Sequence, residues 1–295
     1  MTEYDYVLVT SAFNEEKYLE RTIRSVAEQT LPPVRWVIVS DGSTDGTDAL
    51  ICRYAKIYDF IVYLRTDRAP EETLPKFGFV ATRKVNAIRK AVGMLDSVPY
   101  RYIGNLDGDV SFGANMYEVL IRRFVDRPQL GLAGGFIYNN IDGKLRPYFT
   151  NPRNAGGPLQ LFRRECYEDI GGYVTYGHED TIAGIMARMH GWKTGSFADL
   201  VIEHHKVASC TGWRRCRSKY LLGAYDYLHS DTILWEILRC LKELRDTPYV
   251  IGSFLRLAGY FNAVIQQQRL LPPDVHQFVR NEQYQTLARA VQGKF

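Results

Sequence analysis

The chain has 295 residues, 46% of them hydrophobic and 24% charged, with a formal net charge of +4. That length and apolar content suffice for a sizeable core and exclude an intrinsically disordered chain. Acids and bases nearly balance and no zinc-finger spacing occurs, so no nucleic-acid partner is expected. The five cysteines, Cys52, Cys166, Cys210, Cys216 and Cys240, include no C-x-x-C pair, which argues against a secreted disulfide framework.

The opening stretch "MTEYDYVLVTSAFNEE" lacks a basic segment followed by an apolar run, so it does not read as a signal peptide. With the cysteine pattern, this predicts a cytoplasmic protein. Residues 4–12 ("YDYVLVTSA") and 34–42 ("VRWVIVSDG") read as strands, rich in β-branched and aromatic residues and stopped by turn formers. Between them Leu19, Ile23 and Val26 recur at helical spacing. Asn14 is the expected N-cap of that helix, with Glu15 and Glu16 complementing its dipole. "DGSTDGT" (41–47) is a turn that leads to a helix over 48–58 and a third strand over 60–66. The alternation predicts an α/β fold of βαβ units around a mostly parallel sheet, with ligands bound beyond the carboxyl ends of the strands.

At 102–112, "YIGNLDGDVSF" runs from a buried strand into Asp107 and Asp109. Two carboxylates about 4 Å apart repel by roughly 4 kcal/mol at an effective dielectric of about 20. A Mg²⁺ or Mn²⁺ ion would offset that repulsion, and so would solvation at a surface turn. Asp41 lies at another strand end, so separate segments converge on one candidate site.

In "GGPLQLFRRECYEDIGGY" (156–173), Gly171 and Gly172 fit a helix C-cap. Ile182, Ile185, Met186 and Met189 form the apolar stripe of a helix that starts at Glu179 and Asp180, where plain dipole complementation would account for both acids. "DLVIEHHKVAS" ends a strand with His204 and His205. A zinc site built from these with Cys210 and Cys216 matches no common finger spacing.

After about residue 205 the texture becomes helical. "TILWEILRCLKEL" places Ile233, Leu234, Ile237, Leu238, Leu241 and Leu244 on one stripe, with Arg239, Lys242 and Arg245 largely off it. Residues 249–265 carry Arg256 and Asn262 and fall short of the roughly 20 apolar residues that a membrane span needs. They read as a buried helix, with a helix lying on a bilayer surface as the alternative. "WRRCRSK" packs four basic residues into six positions, suited to a diphosphate, an anionic lipid surface or a solvated helix face.

Taken together, these segments resemble the family 2 glycosyltransferases of GT-A fold. The resemblance rests on Thr10 to Glu15 at the first strand end, Asp41 to Thr47 at the second, "TRKVNAIRKAV", the Asp107-Gly108-Asp109 pair with its following "VSF", the Glu179-Asp180 helix start, and His204. It covers residues 5 to about 205 and implies a GT-A domain over 1–205 with a helical C-terminal extension over 206–295. It further implies an inverting, metal-dependent transferase that moves a sugar from a nucleoside-diphosphate sugar to a saccharide or lipid-linked acceptor hydroxyl, as in bacterial cell-surface polysaccharide synthesis.

On that resemblance Asp41 would bind the nucleobase, and Ser11 and Glu15 would line the donor pocket. Lys84 and Asn86 would face the diphosphate or sugar, with Arg83 able to replace Lys84. Asp107 would contact the ribose and share with Asp109 and His204 in holding Mg²⁺ or Mn²⁺, with His205 the alternative to His204. Asp180 would be the general base, with Glu179 on the acceptor side and His178 the outside candidate. Peripheral contact with the inner face of the cell membrane is compatible with the basic run. The competing readings are a sugar-phosphate nucleotidyltransferase, which would want a Gly-rich phosphate loop in place of "VTSAFNEE", and a degenerate nucleotide-sugar-binding module.

Overall fold

The computed structural model describes residues 2–67, 82–141, 143–175, 177–206, 212–246, 248–266 and 270–292. In chain order they form β1 (Tyr6–Ala12), α1 (Leu19–Ala27), β2 (Arg35–Asp41), α2 (Thr47–Ala55), β3 (Ile61–Thr66) and α3 (Thr82–Gly93). There follow β4 (Tyr102–Leu106), β5 (Val110–Phe112), α4 (Met116–Asp126), β6 (Leu130–Ile141), β7 (Lys144–Phe149), β8 (Leu159–Arg163) and α5 (Arg164–Asp169). Then come α6 (Glu179–Met189), β9 (Lys193–His204), α7 (Trp213–Leu228), α8 (Ile233–Lys242), α9 (Tyr249–Ile265) and α10 (Pro273–Val291). These residues divide into two compact units: one runs through β9, and the other holds α7 to α10. Cys210 of the zinc reading lies outside the described residues.

The first unit is built on a nine-stranded sheet in the order β3-β2-β1-β4-β8-β6-β9-β5, with β7 paired to β6. Its β3-β2-β1-β4 half is wholly parallel, as the strand–helix alternation predicts. The other half turns antiparallel at β4–β8, β8–β6 and β9–β5 and keeps β6 parallel to β9. Both faces of the parallel half are buried, because successive side chains point to opposite sides. Tyr6, Leu8, Trp36 and Ile38 enter one core cluster and Val7, Val9, Val37 and Val39 the other.

Two local expectations need correction. Asn14 is not the cap of α1: the helix begins at Leu19 behind Tyr18, and Asn14 adopts a left-handed φ of 53°. Asn tolerates that conformation because its side chain bonds locally, and here its Oδ1 accepts from the Thr44 amide at 2.8 Å. The cap is thus spent on stitching the β1 and β2 loops together. Gly171 and Gly172 do close α5, with φ of 68° and 72° and the Gly172 amide donating to Tyr167 O.

The second correction concerns the helical unit. In α8 the apolar stripe from Ile233 to Leu241 is exposed, while Glu236 and Cys240 are buried. Likewise α9 is not a buried helix, since Ile251, Phe254, Phe261 and Ile265 are exposed and Arg256 is buried. The cause is an interior ion cluster. Arg256 donates to Asp226, Glu236 and Glu243, Arg239 pairs with Asp226 and Asp231, and Lys219 pairs with Glu243. Amphipathic spacing defines a face but not the environment that face meets. No described helix is long and apolar enough to cross a membrane.

Candidate functional site

The ends of β1, β2, β4 and β9, with α3 and the start of α6, carry the predicted residues. At the end of β2, Asp41 is buried and its Oδ1 accepts from Thr66 Oγ1 of β3 at 2.8 Å. The two border a cavity of about 270 Å³ whose other walls are Asp67, Arg83, Asn86, Ala87, Arg89 and Lys90. One buried acid facing several bases suits a ligand with hydrogen-bond donors at one end and negative charge at the other. Asn86 and Arg83 thus reach the Asp41 cavity, whereas Lys84 turns elsewhere.

Lys84 forms ion pairs with Asp107 at 2.8 Å and with Glu179 at 3.2 Å. Burial pulls its ammonium down, but the fields of Asp107 and Glu179 more than offset this and hold it up. Burial also raises the Asp107 carboxyl, against the attraction of Lys84. Asp107 is positioned further by its amide, which donates to Pro158 O at 3.0 Å.

Two residues on, Asp109 is buried and faces the other way. Its Oδ2 lies 3.3 Å from His204 Nε2, and its Oδ1 has no hydrogen-bond partner. The neighbourhood follows from sheet register, because Val110 pairs with His204 across β5 and β9. His204 Nδ1 meets Asn139 Oδ1 at 2.9 Å, which orients the ring. Its imidazole is held above the ordinary histidine value by the hydrogen bond to Asp109, against desolvation. His205 faces Ser111 at 2.8 Å and Arg21 at 3.4 Å, and desolvation followed by Arg21 lowers it.

Glu15 approaches from the β1 loop. Its amide donates to Thr47 Oγ1 at 2.9 Å, its Oε1 accepts from Lys206, and its Oε2 is buried without a partner. Burial raises its carboxyl most, Lys206 lowers it, and Asp109 and Asp107 raise it again, so all three acids share one field. A β-carbon at Gly108 would lie 3.3 Å from Leu19 Cδ1 and in ordinary contact with Glu15, so the turn between the two aspartates packs closely on the start of α1. Ser11 occupies the last turn-ward part of β1, opposite Val39, and is partly exposed.

Asp180 stands in the first turn of α6 behind His178, whose φ is 51°. Gln160 Nε2 donates to Asp180 O at 3.2 Å and Gln160 Oε1 accepts from Tyr173 at 2.6 Å, so a buried polar chain fixes the start of the helix. Tyr148 of β7 stacks on His204 with ring centroids 5.7 Å apart. Desolvation and then the fields of Asp180, Asp107 and Asp109 raise its phenol, which links Asp180 to the aspartate pair.

Sequence reasoning missed Thr66, Tyr148, Asn139, Gln160 and Lys206. The one group of three potential metal ligands within 4.8 Å of one another among the described residues is Asp226, Asp231 and Glu236. Arginines already occupy that group. Asp107, Asp109, Glu15 and His204 form no such group, and Asp107 is paired with Lys84.

A mixed sheet of this order, with carboxylates at adjacent strand ends and a further acid on a following helix, defines the GT-A class of nucleotide-diphospho-sugar transferase folds. Residues 7–179 match the sequence profile described as Glycosyl transferase family 2, and the chain belongs to that family. It is 28% identical over 122 residues to a putative teichuronic acid biosynthesis glycosyltransferase of Bacillus subtilis, covering 41% of this chain and 42% of that one. It is 26% identical over 260 residues to a poly-beta-1,6-N-acetyl-D-glucosamine synthase of Staphylococcus epidermidis, covering 79% of this chain and 57% of that one. The chain thus spans about half the length of the curated relatives it matches. Among solved structures, the fold is similar to a mannosyltransferase of Pyrobaculum calidifontis in complex with GDP-Man and Mn²⁺, with a TM-score of 0.56, 16% identity, and 96% of this chain and 80% of that one covered. It is also similar to S. aureus TarS 1-349 in complex with UDP-GlcNAc, with a TM-score of 0.51, 13% identity, and coverage of 90% and 73%.

Proposed function

We propose that the chain is an inverting glycosyltransferase that moves a sugar from a nucleoside-diphosphate sugar to the hydroxyl of a saccharide or lipid-linked acceptor. Residues 1–205 carry the reaction and residues 206–295 form a helical extension. The observation that carries this reading is the placing of Asp109, His204 and Glu15 on one side of the aspartate pair and Asp180 on a separate helix start in the same electrostatic neighbourhood.

Asp109, Glu15 and His204 offer donors of the type a Mg²⁺ or Mn²⁺ ion takes, without lying within 4.8 Å of one another as a set of three. Asp109 Oδ1 and Glu15 Oε2 are buried carboxylate oxygens without partners, and His204 offers a ring nitrogen beside Asp109. A cation of that kind neutralises charge that builds on the departing diphosphate. Asp109 and His204 would hold it. Asp107 is restrained by Lys84, which suits it to a ribose hydroxyl better than to direct ligation.

The nucleobase is assigned to Asp41, whose carboxylate Thr66 orients, with Ser11 near the end of the adjacent β1. Arg83 and Asn86 border the path from that cavity and would meet the diphosphate or the sugar. Asp180 takes the proton from the acceptor hydroxyl as that oxygen attacks the anomeric carbon from the face opposite the leaving group. A single base acting once gives inversion. Glu179, tied to Lys84, holds the acceptor side of the site. The donor complexes of the mannosyltransferase and of TarS make GDP- and UDP-sugars the first ligands to try.

Calorimetric titration of UDP-, GDP- and dTDP-sugars with and without Mn²⁺ tests the reading. Binding of one nucleotide class that strengthens with Mn²⁺ is expected. No binding of any of them would overturn the reading, and binding without turnover would identify the degenerate module.

A further inference from the structure

The helical unit encloses an ion cluster beside its buried apolar residues and turns an apolar face outward. Seven charged side chains, Asp226, Asp231, Glu236, Glu243, Lys219, Arg239 and Arg256, pair with one another, Glu236 and Arg256 buried and the other five half-buried. Phe254 and Ile265, by contrast, are 69% and 80% exposed. From Tyr249 to Ile265 the exposed positions of α9 include no charged residue, and α8 adds the exposed stripe of Ile233, Leu234, Ile237, Leu238 and Leu241. Water favours the opposite arrangement. Charged groups paired within a helical bundle that shows apolar side chains outward are characteristic of a hydrocarbon surrounding.

Helix–helix packing has the same character. Gly223 of α7 and Gly259 of α9 sit where a β-carbon would strike the backbone of the facing helix, so the two helices approach as closely as small residues permit. Lys219 lies beside Gly252, Gly223 beside Arg256, and Tyr227 beside Tyr260, so α7 and α9 run parallel. Their starting ends therefore lie together. Exposed Trp213, Arg214 and Arg217 stand at the same end as exposed Tyr249, an aromatic and basic rim to an apolar face. Lys242 at the end of α8 and Arg245 just past it are exposed bases that extend the rim.

We propose that the outer face of α8 and α9, rimmed by Trp213, Arg214 and Arg217, seats in the interfacial layer of an anionic lipid bilayer. The helices are too short to span, so they lie in the headgroup and upper acyl region, apolar side chains down. Aromatic and basic residues at the rim match the chemistry of that layer, where tryptophan prefers the boundary and arginine meets lipid phosphate. A second copy of the chain would cover the apolar face equally well but gives no use to the basic rim. This inference does not depend on sugar transfer.

Co-sedimentation of the full chain with vesicles tests it. Binding to phosphatidylcholine vesicles containing phosphatidylglycerol, weaker on pure phosphatidylcholine and reduced by salt, is expected. Ile251→Asp with Phe254→Asp should lower the partition coefficient by about tenfold or more, and Arg214→Glu with Arg217→Glu should remove the preference for anionic lipid. Circular dichroism and nucleotide titration confirm that the variants fold. On the unmodified chain, vesicles should slow hydrogen exchange within residues 233–241 and 249–265. A chain that stays in the supernatant with both lipids overturns the proposal. So does sedimentation velocity showing a stable dimer that Ile251→Asp with Phe254→Asp dissolves, because the face would then belong to a second copy.

Discussion

Gly157 leaves its side-chain position to Asp180: a β-carbon there would lie 2.7 Å from Asp180 Oδ2. A carboxylate hemmed against backbone has few rotamers to choose from, and a base in direct displacement must hold one aim. Asp180→Asn should reduce sugar transfer at least about 10²-fold. Gly157→Ala should lower kcat while leaving the affinity for donor nucleotide nearly unchanged, because it moves the base without touching the Asp41 cavity. Steady-state kinetics paired with nucleotide titration separates the two effects. Near-normal turnover in folded Asp180→Asn would remove the residue from the mechanism.

The two histidines should behave differently. His204→Ala removes a nitrogen beside Asp109, whereas His205→Ala removes a partner of Ser111 and Arg21. Mn²⁺ should no longer strengthen nucleotide binding in Asp109→Asn and should do so weakly in His204→Ala. His205→Ala should keep the Mn²⁺ effect. Equal loss in both histidine variants would contradict the assignment.

Thr66 is predicted to act through Asp41. Thr66→Val keeps the shape but removes the hydroxyl that donates to the carboxylate, an interaction worth roughly 1.5–3 kcal/mol when the acceptor is charged. Nucleotide affinity should fall about tenfold, and more in Asp41→Ala. Calorimetry with the free nucleoside diphosphate reads this without an acceptor.

The helical unit should be more stable in mild acid than in mild base. Four carboxylates, Asp226, Asp231, Glu236 and Glu243, meet three cations, Lys219, Arg239 and Arg256, which leaves one negative charge uncompensated. Glu236 Oε2 has no hydrogen-bond partner, and burial raises Asp231 to about 6 and Glu236 to about 7. The folded state therefore binds a proton more tightly than the unfolded chain does. Stability from this source is full below the ordinary carboxylate range and declines as pH rises through about 6 to 7. Thermal unfolding should show a lower Tm for this unit at about pH 8 than at about pH 5.5. Glu236→Gln should flatten most of that difference.

Much of the first unit was legible before any coordinates. β1 and β2 announce themselves by β-branched and aromatic runs, and the acids at their ends follow from where parallel strands present ligands. What could not be read were partners supplied by distant pairing. Lys206 meets Glu15 across 191 residues, and Tyr148 reaches His204 only because β7 folds back on β6. Gln160 looks like an ordinary strand residue until its amide is seen holding the start of α6. In α8 the stripe was visible but its direction was not, because the buried Glu236 sits at a position that periodicity marks as polar.

Adjacent histidines at the end of β9 turn strand register into a reading frame. His204 stands beside Asp109 because Val110 pairs with it, and the next residue points to the opposite side of the sheet. Removing one residue from β9 ahead of His204 would bring His205 into the place of His204. The ligand type would survive that change. Adding one residue there would instead present Glu203, exchanging an imidazole for a third carboxylate. Length variation in this strand is thus a way to retune the charge of the site without a single substitution in it.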